Sequence, residues 1–148
     1  MTHGPSLQQA GKRVVIGIDP GVTTGVAHWD CIDRRLLSVA STTIHKAMDE
    51  VRARADDGCL RLVVFEDARL RTWFGAKGRE ALQGAGSIKR DSAIWADFLF
   101  DLGVPFRQLK PSAGGTKWDA QRFAKLTGWA GRTNEHARDA ALLVWGYR

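Results

Sequence analysis

Hydrophobic positions along the chain switch between three kinds of pattern, and the switches mark the elements. Val14 to Ile18 is a run with four β-branched residues and no polar alternation, the pattern of a strand buried on both faces. Pro20-Gly21 and Gly25 separate it from a second strand at about Thr24 to Trp29. After a turn at Cys31 to Arg34, Leu36 to Thr42 alternates apolar and small polar residues as a third strand. Three strands joined by short turns predict an antiparallel meander. A polar helix follows at about Ile44 to Ala55, with Thr43 placed to cap it and Asp56-Asp57-Gly58 to stop it. Leu60 to Glu66 is so apolar that it reads as a central strand.

Asp67 to Gly78 has no clear period and reads as a charged, aromatic loop. From Arg79 to Leu102 the pattern becomes helical, with Ala85, Ile88, Trp95, Leu99 and Leu102 at three- and four-residue steps. Gly84 and Gly86 interrupt its first half, each costing about 1 kcal/mol against Ala, as glycines at a kink or close approach do. Gly103 ends this helix, and Val104 to Leu109 is the fifth strand. Lys110 to Thr116 is a loop, and two helices, about Lys117 to Thr127 and Asn134 to Trp145, complete the chain. The order predicts an α/β architecture in which a mixed sheet begins antiparallel and becomes parallel.

Composition narrows the class. At 148 residues and 44% hydrophobic content, the chain supports one core and one domain, residues 13–148, preceded by a polar, flexible tail of residues 1–12. No apolar run approaches the roughly 18 residues of a membrane span, and the tail lacks the apolar centre of a signal peptide. Cys31 and Cys59 have no metal-like or disulfide-framework spacing and read as reduced thiols of an intracellular protein.

A net charge of +6 and a pI near 9.8 point to a polyanionic partner. Basic residues gather at Arg69, Arg71, Lys77, Arg79, Lys89 and Arg90, and again at Arg107, Lys110, Lys117 and Arg122. Trp73, Phe74 and Trp118 lie among them, as a nucleic-acid surface requires. A solvated basic face with inward aromatics is the plain alternative.

Four polar groups then stand out by position. Asp19 ends the first strand, Glu66 ends the fourth, and His136 and Asp139 share a helix face at i and i+3. If the first and fourth strands are neighbours, their ends bring two carboxylates together, and two such anions need a cation between them or a proton on one. A helix laying His136 and Asp139 over that point makes a set able to hold two divalent ions for phosphodiester hydrolysis. Taken singly, Asp19 also reads as a turn former before Pro-Gly, Glu66 as a solvated strand end, His136 as a surface residue, and Asp139 as a partner of Arg138 or Lys125. Asp67 competes with Glu66, but successive strand residues face opposite ways, and Glu66 belongs to the apolar run.

Gly17-Ile18-Asp19-Pro20-Gly21 followed by Thr23-Thr24-Gly25, the strand acid Glu66, and His136-Ala137-Arg138-Asp139-Ala140-Ala141 together resemble the RuvC-type Holliday-junction resolvases of the RNase H-like superfamily. Arg107-Gln108-Leu109-Lys110-Pro111 and Thr116-Lys117 are similar to that family's basic segment, so the likeness spans about Val14 to Trp145. The resemblance implies an RNase H-like five-stranded mixed sheet flanked by helices. It implies a cytoplasmic homodimer, in a bacterial or phage-infected cell, that cleaves four-way DNA junctions or related branched DNA with two Mg²⁺ or Mn²⁺ ions per active site. It assigns Asp19, Glu66, His136 and Asp139 as metal-binding and catalytic residues, and Lys110 and Lys117 as contacts to scissile-strand phosphates. Lys89, Arg90, Arg69 and Arg71 would add phosphate contacts. Where the family carries Gln, an aliphatic residue and an aromatic after the strand acid, this chain has Asp67 to Phe74, which displaces the stacking aromatic to Trp73 or Phe74.

Two other readings compete. One is a non-catalytic branched-DNA-binding module. The other is an ATP-binding domain of the actin and sugar-kinase type, whose phosphate loop also follows a first strand with Asp and glycines. The stripe Ile88, Trp95, Leu99 and Leu102 reads either as a dimer face or as plain core.

Overall fold

The computed structural model describes residues 11–70, 79–111 and 117–148. Five strands, β1 (Val14–Asp19), β2 (Thr24–Asp30), β3 (Arg35–Thr42), β4 (Leu60–Glu66) and β5 (Phe106–Leu109), form one sheet in the order β3-β2-β1-β4-β5. β1, β2 and β3 pair antiparallel as the short turns require, and β4 and β5 add to β1 in parallel. Helices α1 (Ile44–Asp56), α2 (Arg79–Leu102), α3 (Ala120–Thr127) and α4 (Glu135–Val144) complete the fold. This is the α/β, RNase H-like arrangement of a five-stranded mixed sheet flanked by helices.

The unalternating β1 sequence is explained by helices on both faces. Val14, Ile16 and Ile18 pack with Val63 and Phe65 of β4, Val51 of α1, and Trp95 and Leu99 of α2. Val15 points the other way and packs with Ala27, Trp29, Val39, Val64, Phe123 of α3, and Ala137, Ala140, Ala141 and Val144 of α4. Trp95 and Leu99 are fully buried and Leu102 packs beside them, so this part of the α2 stripe is core. Ile88 instead is exposed, as are Ile94 and Phe100.

Several boundaries differ from the sequence pattern for local reasons. α3 begins at Ala120 rather than Lys117, because the Asp119 side chain accepts a hydrogen bond from the Arg122 backbone at 2.7 Å and so caps the helix. β5 begins after Pro105, which has no N–H to give a ladder, although its carbonyl accepts from Val63 N at 3.0 Å. Thr43 stands at the α1 N-cap in extended conformation, but its side chain makes no cap bond; its carbonyl accepts from Ala47 N. Ala68–Leu70 forms a 3₁₀ turn where no period is visible in the sequence. α2 runs on as helix through Gly84 and Gly86, and a Cβ on Gly86 would meet nothing within 4 Å, so no close approach accounts for that glycine.

Arg13 and Asp30 tie the start of β1 to the end of β2. The guanidinium donates to both carboxylate oxygens at 2.9 and 2.7 Å, and the same carboxylate accepts from Ile32 N and Asp33 N. No helix among the described residues is long and apolar enough to cross a membrane. Most of the tail, residues 1–10, lies outside the described residues.

Candidate active site at the ends of β1 and β4

Strand period two decides which acids face each other. Asp19 continues the Val15-Gly17 row, and Glu66 continues the Leu62-Val64 row, both on the face covered by α4. β1 and β4 run side by side in parallel with Ile18 opposite Phe65, so the two carboxylates leave the sheet at the same end and on the same face. Asp67 does not join them. Its side chain is almost fully buried, takes Arg69 at 2.7 to 3.1 Å, and takes the Gln108 amide at 2.7 Å.

α4 reaches this end of the sheet because two glycines let it. A Cβ on Gly17 would overlap the Ala140 carbonyl oxygen, and a Cβ on Gly25 would overlap that of His136. Gly25 stands directly opposite Asp19 in the β1–β2 ladder. The close seat delivers His136 to the acid, and its Nδ1 lies 3.1 Å from Asp19 Oδ2. Asn134 starts the helix by accepting from Ala137 N at 2.9 Å.

The fourth group has a partner that the sequence did not suggest. Asp139 is 19% exposed and pairs with neither Arg138 nor Lys125; Lys117 Nζ lies 2.6 Å from its Oδ2 and 3.1 Å from Glu135 Oε1. Arg138 holds the Lys117 segment in place, donating to the Trp118 carbonyl at 2.8 Å and to Thr133 at 3.0 Å. Glu135 shares a helix face with Asp139 at i and i+4, a signal legible in the sequence once Lys117 is known to lie there.

The charges feel one another. Burial pushes the Asp19 carboxyl above its ordinary value; the His136 hydrogen bond opposes this, and the Asp139 charge adds to it. Burial also pushes Glu66 up, and the charges of Asp19 and Asp139 push it further. Burial would lower the Lys117 ammonium, but its bonds to Asp139 and Glu135 hold it well above the ordinary value. The four groups and Lys117 thus occupy one electrostatic field, with two contact pairs, Asp19 with His136 and Asp139 with Lys117, and Glu66 coupled to them through charge. Among the described residues no three His, Cys, Asp or Glu side chains form a ready-made metal cluster. The donor chemistry, three carboxylates and one imidazole, suits a hard divalent cation, and the mutual repulsion of Asp19, Glu66 and Asp139 is what such a cation relieves.

The basic residues distribute unevenly. Lys110 directly follows β5, one residue beyond the Leu109–Glu66 pairing, and is exposed at the acid end of the sheet. Lys117 reaches the site itself. Lys89 and Arg90 sit on α2, which packs on the opposite sheet face from α4. Arg69 is committed to Asp67. Arg71, Trp73 and Phe74 lie outside the described residues. Trp118 has the Arg122 guanidinium over its ring at 3.9 Å.

No protein-family model matches this chain, and none of the curated proteins matches it.

Proposed function

We propose that the chain is a divalent-metal-dependent endodeoxyribonuclease of the RuvC type, acting as a homodimer on branched DNA and chiefly on four-way junctions. The observation that carries this reading is the convergence of Asp19 and Glu66 from adjacent parallel strands onto one spot covered by His136 of α4. Asp19, Glu66 and Asp139, with His136, are the residues that would hold Mg²⁺ or Mn²⁺. When bound, such ions activate a water and stabilise the leaving oxygen of a phosphodiester.

The chain's own groups supply the rest. Asp19 engages His136 Nδ1, which leaves Nε2 as the ring nitrogen that would meet a metal ion. Lys117 brings a permanent positive charge to the acid cluster, and Lys110 adds a second one beside Glu66's strand end. Backbone phosphates set the affinity, so binding falls steeply with salt and depends little on base identity.

One observation favours a second reading, a non-catalytic branched-DNA-binding module: Lys117 already provides Asp139 and Glu135 with a counterion. A single assay separates the two. Labelled four-way junction, duplex and RNA–DNA hybrid are incubated with Mg²⁺, Mn²⁺ or EDTA. Paired, metal-dependent nicks in the junction support the nuclease, and junction binding with no cleavage supports the module. An Asp19→Asn variant that cuts normally sinks the proposed mechanism.

A further inference from the structure

A pocket of about 380 Å³ opens between β3 and the turn leading into α4, lined by Val39, Ser41, Arg132, Thr133 and Asn134 among others. We propose that it holds a backbone phosphate of the DNA strand that passes through the acid site, a few nucleotides from the bond to be cut. The proposal rests on the nuclease reading and adds a second anchoring point to it.

Position is the first argument. Asp19 pairs with Gly25 on β2, and Gly25 pairs with Ser41 on β3, so the three residues form one row across the sheet. Ser41 continues the Val39 row, which faces α4, as Asp19 does. Two strand spacings separate Ser41 from Asp19, about 10 Å. A few nucleotides of one strand cover that distance.

Charge is the second. Arg132 is exposed and, among the described residues, is the one ionisable side chain lining the pocket, whose lining includes no carboxylate. The neighbouring site carries three carboxylates. An anion is therefore steered to the pocket by the same contrast that steers a cation to Asp19 and Glu66. A guanidinium meets phosphate oxygens through two parallel N–H bonds, a geometry an ammonium cannot copy.

The walls are fixed before any ligand arrives. Asn134 donates its amide to Ser41 Oγ and accepts from Ala137 N, which locks β3 to α4. Ser41 accepts that bond, so its own hydroxyl hydrogen can be given to a phosphate oxygen. Thr133 is braced by Arg138, the same residue that holds the Trp118 carbonyl next to Lys117. One side chain thus fixes the pocket wall and the Lys117 segment relative to each other.

The test measures junction binding in EDTA, where cleavage plays no part, for the wild type, Arg132→Ala, Arg132→Lys and Ser41→Ala, across a range of salt. The Arg132→Ala variant should bind about tenfold more weakly, the share of one charge-assisted phosphate contact. The slope of log affinity against log salt should shallow by about one unit. Arg132→Lys should recover the slope but not the full affinity. Methylphosphonate placed singly along the strand should weaken wild-type binding at one position near the cut and have no further effect there in Arg132→Ala. Unchanged affinity and slope in Arg132→Ala, with cleavage intact in the wild type, overturn the pocket and leave the nuclease standing. The expected binding losses in a protein that never cleaves support the pocket and overturn the nuclease. If inorganic phosphate raises the melting temperature of the wild type but not of Arg132→Ala, while both bind DNA equally, the pocket takes free phosphate and the strand assignment fails.

Discussion

Gly25 and His136 touch backbone to backbone: the carbonyl oxygen of His136 occupies the space a Cβ on Gly25 would need. Gly17 stands in the same relation to Ala140, one helical turn further along α4. Neither glycine has a positive φ, so their role is spatial. They let the helix sink onto β1 and β2 until His136 reaches Asp19. Gly25→Ala should therefore lower stability by about 3 kcal/mol or more, since backbone cannot move aside as a flexible side chain can, and should abolish cleavage. Gly86→Ala, in open space on α2, should gain about 0.5 to 1 kcal/mol and leave cleavage alone. Denaturant melts of the two variants check this directly, and equal effects would contradict it.

Glu66 and Asp67 are sequence neighbours with opposite electrostatics. Burial and the nearby Asp19 and Asp139 charges raise the Glu66 carboxyl. The folded state therefore favours its protonated form, and the stability it contributes is lost as pH rises through the raised value. In EDTA at pH 7, Glu66→Gln should melt higher than the wild type, and the gap should close below about pH 4. For Asp67, burial acts upward, but Arg69 and Gln108 hold the carboxyl below its ordinary value. Asp67→Asn should thus melt lower at pH 7. Thermal melts with and without Mg²⁺ read both, and Mg²⁺ should stabilise the wild type more than Glu66→Gln.

Acid should unfold the protein partly through Asp30. Burial alone would raise this carboxyl, but bonds from Arg13 and from the Asp33 and Ile32 N–H groups outweigh it and lower it. Its contribution is present above the unfolded value near 3.9 and is lost as pH falls through the lower folded value. Asp30→Asn should melt several degrees lower at pH 7, with the difference shrinking toward pH 2. A constant difference across that window would show that the pair does not titrate with folding.

Lys117 competes with any cation for Asp139. Removing it in Lys117→Met should tighten Mn²⁺ binding about two- to fivefold, the scale of an exposed ion pair, while cleavage of the junction falls. Calorimetric titration with Mn²⁺ measures the first effect without reference to activity. Unchanged Mn²⁺ affinity would remove Lys117 from the site.

Much of the sheet was legible in the chain. The β-branched run of β1 and the apolar β4 announced strands covered on both faces, and short turns at Pro20-Gly21 and Cys31 to Arg34 dictated the antiparallel meander. Period two allowed only one of Glu66 and Asp67 to face Asp19, membership of the apolar run chose Glu66, and helical spacing placed His136 and Asp139 on one face. These are local rules, and they hold because side-chain direction follows from backbone geometry alone.

Tertiary packing decided what those rules cannot reach. That Asp139 meets Lys117 rather than Arg138 or Lys125 depends on Arg138 gripping the Trp118 carbonyl, a contact twenty residues apart in sequence. That Arg69 is bound to Asp67 rather than free for phosphate depends on a turn with no period of its own. The motif glycines carry no mark in sequence of what presses on them; only the descent of α4 onto the sheet reveals it. A carboxylate's identity is written in the chain, but its counterion is chosen by whatever the fold brings within reach.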